Sequence, residues 1–147
     1  KKGENISNPS ISYQSIYERD MKDRIESATT NLKNQIKENI EYHFMVDRFR
    51  KDRLDEIVDI MVETLSSKRE YITVAGDEYP TSLVKERLER INGSHIEYIF
   101  DCLDKNTSYV RNIKKYLLTT LFNAPSTMDS YYAALVNHDL YGDNSRW

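Results

Sequence analysis

Between Asp52 and Leu65 the apolar residues fall at Leu54, Ile57, Val58, Met61, Val62 and Leu65, the three-and-four spacing of one broad helical face. A face that wide must be covered by other elements, so the chain has to build a layer of packed helices. Further segments supply them. Leu32, Ile36 and Ile40 recur every four residues, with Phe44 one step further along the same expected face. Leu83, Val84, Leu88 and Ile91 form a third stripe, and Ile96, Ile99, Phe100 and Leu103 a fourth. Val110, Ile113, Leu117 and Leu121 mark a helix expected over about Ser108–Asn123, and a last helix is expected over about Ser126–Asn137.

The boundaries follow from local chemistry. Asp52 is placed to cap the Leu54–Leu65 helix, Pro80 to open the next, and Asn92-Gly93 to stop it. Ser94 with Glu97 has the spacing of a capping box, and Pro125 is expected to separate the last two helices. Only Tyr71–Val74 breaks the helical period; followed by Ala75-Gly76-Asp77 and Glu78-Tyr79, it predicts a small hairpin turning at Gly76. The fold class expected is mainly α, a compact multi-helix domain with one small β-hairpin around Tyr71–Tyr79.

The chain has 147 residues and a mass of 17.4 kDa, enough for one domain. Residues 1–28 are polar and carry Pro9, and read as an interdomain linker, flexible or partly helical from Tyr17 onward. Residues 29–141 make the helical domain and 142–147 a tail. With Lys1 at its start the sequence reads as part of a longer protein. The one cysteine, Cys102, excludes an internal disulfide, and suits a reducing cytoplasm. No apolar run reaches the roughly 18 residues of a membrane span, so no membrane partner is expected.

Catalytic chemistry finds no footing. His43, His95 and His138 fall in three separate elements, Cys102 has no thiol neighbour, and the four glycines make no phosphate-cradling loop. The chain is therefore expected to be non-enzymatic, with no metal and no cofactor. A net charge of −3 means that any nucleic-acid contact has to be a local patch. Two patches qualify. Arg48-Phe49-Arg50-Lys51-Asp52-Arg53 is a basic run with an aromatic insert; it could grip phosphate through Arg48, Arg50, Lys51 and Arg53, or merely hydrate a corner between helices. Arg111, Lys114 and Lys115 are expected on one side of a helix beside Tyr116, in its first turns, where the helix dipole disfavours cations. That placement suggests an anionic partner; pairing with Asp101 or Asp104 is the alternative. Tyr131, Tyr132 and Tyr141 add aromatic surface, with Tyr132 expected in the core and its hydroxyl wet.

Several stretches resemble the C-terminal domain of the replication initiator protein A family, which serves plasmids and conjugative elements of Firmicutes. They are KENIEY at Lys37–Tyr42, DRLDEIVDIMVETL at Asp52–Leu65, ITVAGDEYP at Ile72–Pro80, GSHIEYIFDCLDKNT at Gly93–Thr107, and VRNIKKYLLTTLFNAPSTMDSYYAALVNHDL at Val110–Leu140. The resemblance covers most of the chain in one order. It implies a DnaD-like domain, tethered to an origin-binding winged helix, that recruits host replication proteins such as primase, helicase or helicase loader in the bacterial cytoplasm. Accessory DNA binding and bridging of initiators as a homo-oligomer are the alternative roles. DnaD-like domains carry a Tyr-x-x-x-Ile-x-x-x-Trp motif implicated in DNA binding. Here Tyr116 keeps the tyrosine, while Thr120 and Ala124 stand in the other two places.

Overall fold

The computed structural model describes residues 9–106 and 110–141, with side chains given for 13–106 and 110–140. Among them are six helices and one hairpin: α1 (Pro9–Asn39), α2 (Tyr42–Met45), α3 (Lys51–Leu65), β1 (Tyr71–Val74), β2 (Asp77–Pro80), α4 (Thr81–Glu89), α5 (Gly93–Lys105) and α6 (Ile113–Tyr141). The mainly α class with a single hairpin is as expected. The Ser108 helix start and the 142–147 tail lie outside the described residues.

α3 is the hub. Leu54, Ile57 and Val58 are fully buried and Ile60 and Met61 nearly so; α1, α4 and α6 pack around this helix. α1 contributes Ile36, with Ile40 buried just after it; α4 contributes Val84 and Leu88; α5 brings Ile96, Ile99 and Phe100; α6 brings Leu117, Leu121, Phe122 and Ala124. The stripes therefore do what their periodicity demands. Burying each such aliphatic side chain is worth about 1.5–3 kcal/mol.

Phe44 departs from its expected place: it is exposed, while Tyr42 and Met45 are buried. The cause is Glu41, whose φ of 56° breaks the helix after α1 and re-registers the next turn. Close approach follows at α5, where a Cβ added to Gly93 would run into the Glu41 carboxylate and lie 2.9 Å from Met45 Cε.

Three boundaries also differ. Asp52 is not the cap of α3; Arg50 occupies that position without a side-chain cap, and Asp52 lies in the first turn. Asn92 does not end α4 but caps α5, its Oδ1 accepting from His95 N (3.3 Å) while His95 Nδ1 accepts from Asn92 N (3.0 Å). That reciprocal box displaces the expected Ser94–Glu97 one, and Gly93 becomes the first helical residue.

Pro125, finally, lies inside α6 and does not divide it. A proline in a helix interior costs about 3 kcal/mol. The second half of α6 has enough tertiary contact to offset this. Tyr131 and Tyr132 pack on Tyr98 of α5 at ring separations of 5.1 and 6.1 Å. Tyr132 donates to Asp101 (3.0 Å), and Tyr98 shares a hydrogen bond with Thr127 (3.2 Å).

The hairpin pairs Tyr71 with Pro80, Ile72 with Tyr79, Thr73 with Glu78 and Val74 with Asp77. Two strands alone are marginal. These are held by buried Val74, by Tyr79 against Phe122 (4.7 Å), and by Thr81, whose amide and hydroxyl donate to the carbonyls of Glu70 and Arg69.

Candidate functional site

The two basic clusters fare differently. Around α3 every cation of the corner meets a carboxylate. Arg48 pairs with Glu97, Arg50 with Asp52 (2.6 Å), Lys51 with Asp55 (2.7 Å) and Arg53 with Glu56 (2.8 Å). Arg50 holds the Asp52 carboxyl below its usual range, and Lys51, with help from the Tyr42 hydroxyl, does the same to Asp55. The aromatic insert is used as well: Phe49 stacks on Phe100 at 4.3 Å, with the Arg48 guanidinium over its ring. This is a solvated, neutralised corner between helices.

The second cluster is differently built from its expected form. Arg111 precedes α6 in a bend and so shares no helical face with Lys114 and Lys115. Asn112 caps the helix, its Oδ1 accepting from Lys115 N (3.0 Å). Both lysines thus fall in the first turn, which contains no acidic residue, where the positive end of the helix dipole opposes them. Lys114 reaches Glu63 of α3 (2.8 Å), and neither Asp101 nor Asp104. Lys115 and Arg111 make no ion pair among the described residues. Tyr116 is half-buried against the core and does not face the same space as the lysines.

What Lys114 and Lys115 do face is an open groove of about 910 Å³. One wall is the start of α6, another the end of α3 with the connector after it, and the third is the hairpin. Lys68, Arg69 and Tyr71 line it alongside the two lysines. The sequence reading missed these three. Their signal was the run Lys68-Arg69-Glu70-Tyr71, basic and aromatic, just where helical periodicity gives way to the strand.

A second exposed feature is α1. From Tyr13 to Asn31 every residue of this helix is exposed. Its large apolar residues there include a line spaced by four, Tyr13, Tyr17 (66% exposed), Met21 and Ile25 (60% exposed), with Ile16 exposed beside it. The segment expected as a linker is thus helical from Pro9 and presents an ordered apolar line.

The histidines serve local structure or lie at the surface. His95 is buried as a capping partner, and burial, reinforced by Arg90, holds its imidazole below the usual range. Its Nδ1 accepts a hydrogen bond, so the neutral ring carries its proton on Nε2. His138 lies beside Asp139 at the exposed end of α6. Among the described residues no group of His, Cys, Asp and Glu is arranged to hold a metal, and no helix is long and apolar enough to cross a membrane.

A family model described as "Family of unknown function (DUF6017)" matches residues 6–143. No curated protein and no solved structure matches the chain.

Proposed function

The chain belongs to the DUF6017 family of unknown function, and we propose that it is a non-catalytic module of a mobile-element replication initiator, DnaD-like in fold, acting in the bacterial cytoplasm. Its role is to recruit host replication proteins (primase, replicative helicase or helicase loader) to an origin. The setting rests on the sequence resemblance over Lys37–Leu140. The observation that carries the recruiting role is the exposed Tyr13–Tyr17–Met21–Ile25 line on α1.

Isolated helices are marginal in water, and most helix stability in proteins comes from packing one apolar face. From Tyr13 to Ile25 α1 has such a face, and among the described residues nothing covers it. Tyrosine and methionine are residues enriched in the buried centres of protein interfaces. A partner that covered the line would support the helix and bury its own apolar surface in the same step.

The test is calorimetric titration of the chain with each purified host protein, repeated with Tyr17→Asp and Ile25→Asp. Binding to one of them that both substitutions abolish supports the role; no binding to any of the three overturns it. The alternative role as a bridge between initiators is read by light scattering. A dimer that both substitutions dissolve would assign the line to a second copy.

A further inference from the structure

We propose that the groove between the end of α3, the hairpin and the start of α6 binds single-stranded nucleic acid, with Lys68, Arg69 and Lys115 holding phosphates and Tyr71 stacking on a base. This goes beyond the recruiting role and uses different residues from the α1 line.

Charge is the first argument. The groove is lined by four cations, Lys68, Arg69, Lys114 and Lys115, against two carboxylates, Glu63 and Glu78. That is a local charge of +2 in a chain whose total is −3, so the remainder carries −5. One cation is already spent: Lys114 neutralises Glu63 across the groove. The other three make no ion pair among the described residues. The contrast with the corner at Arg48–Arg53, where each cation has its carboxylate, is chemically specific. One cluster is satisfied within the fold, and the other is open to an anion from outside.

Shape and aromatic surface choose among anions. The space is an open groove of about 910 Å³, larger than a single phosphate needs. A single strand can lay both its phosphates and an unstacked base into such a space, whereas the bases of a duplex are stacked on one another and offer no free face to the tyrosine. Tyr71 is 51% exposed at its edge, a ring with a free face for a base. Cations that track a backbone beside an aromatic platform are the parts of sequence-tolerant single-strand sites. Around them, Ser67, Thr73 and Asn112 offer polar side chains to phosphate and sugar oxygens. The first turn of α6 adds the positive end of a 29-residue helix, which favours the same charge. An acidic peptide would meet the cations but would leave the tyrosine face without a matching planar group.

Fluorescence anisotropy tests this with labelled oligo-dT and oligo-rU of about 20 nucleotides, a duplex of the same length, and the 147-residue chain in rising salt. The expected result is binding to one or both single strands, with log affinity falling against log salt at a slope of about −2, as three phosphate contacts require. Lys68→Glu, Arg69→Glu and Lys115→Glu together should remove binding. The milder set Lys68→Gln, Arg69→Gln, Lys115→Gln should weaken it at least about tenfold, and Tyr71→Ala alone by about tenfold. Arg50→Glu, at the neutralised corner, should change nothing. Circular dichroism of each variant separates lost binding from lost fold. Four outcomes overturn the proposal: no binding at the lowest salt, binding that survives the neutralising set in a folded variant, a duplex bound as tightly as single strands, or an oligo-glutamate peptide that displaces the oligonucleotide as well as unlabelled oligo-dT does.

Discussion

Replacing Ala75 should make this protein more stable, although Ala75 is exposed. The hairpin turns through two residues, Ala75 at φ 54° and Gly76 at φ 87°, between the paired Val74 and Asp77. A two-residue loop with positive φ at both positions is the type I′ turn, which prefers Asn-Gly because its twist matches the strands. Glycine takes this region freely. Alanine there has its Cβ crowded by the following carbonyl, at a cost of roughly 1–2 kcal/mol. Asparagine recovers much of that, so Ala75→Asn should add about 1 kcal/mol.

The gain should register globally because the hairpin is tied to the core through Val74, the Tyr79–Phe122 contact and the two Thr81 hydrogen bonds. In urea, with a slope of about 2 kcal/mol/M, the midpoint should rise by about 0.5 M at unchanged slope. In a thermal scan Tm should rise by about 2–4 °C. The converse change, Gly76→Ala, meets no steric obstacle, since nothing lies within 4 Å of the added Cβ. Any loss it causes, expected at about 1 kcal/mol, is therefore backbone strain alone. An Ala75→Asn midpoint that stays put or falls, with the slope unchanged, would refute the strain argument.

Four further outcomes are expected. Asn92→Ala should cost about 1 kcal/mol by removing the cap of α5. Because His95 is held below its usual value, the native state favours the neutral ring; its contribution is fully present above about pH 6.5 and is lost as pH falls below that. His95→Gln should flatten that part of the urea-midpoint profile, and an unchanged profile would contradict the assignment. The Tyr132 hydroxyl is pushed up to about 12, by burial first and by its hydrogen bond to Asp101 second. Its share of stability is complete below about pH 10 and lost as pH rises from there. Tyrosinate absorbance of the chain minus that of Tyr132→Phe should show one group titrating near the top of that range; a difference centred at 10 would be the contrary result. Ala124→Trp should destabilise by about 3 kcal/mol or more, because Ala124 is fully buried and overpacking strains a dense core. A fully stable tryptophan variant in urea titration would show the position to be roomier than its burial implies.

Helix faces were the most legible part of this chain, because burial and the 3.6-residue period impose the same pattern. Ile57, Val58, Leu88, Ile99 and Leu121 are buried where their spacing puts them. The misreadings have local causes. Glu41 adopts a left-handed conformation that its residue type does not advertise, and that moved Phe44 out and Tyr42 in. Pro125 obeys a rule about isolated helices that the Tyr98–Tyr131–Tyr132 packing outweighs. Asn92-Gly93 reads equally well as the end of one helix and the start of the next; the Asn92–His95 side-chain exchange decides between them. The groove was half legible. Lys114 and Lys115 stood out as cations at a helix start, but Lys68, Arg69 and Tyr71 join them only through tertiary structure. Arg111 and Tyr116, neighbours of the lysines in sequence, are not among the residues that line the groove.

The line on α1 also fixes a handedness. Its residues repeat every four positions from Tyr13 to Ile25, whereas an α-helix needs 3.6 to close a turn. Each step therefore advances the line by about 40° around the axis. A repeat longer than 3.6 winds in the opposite sense to the heptads of a coiled coil, whose repeat of 3.5 gives a left-handed supercoil. A helix that stayed in contact from Tyr13 through Ile25 would have to wrap α1 right-handedly, and a straight or left-handed one would touch only part of it. Partners built as ordinary coiled-coil strands are thus geometrically disfavoured at this surface.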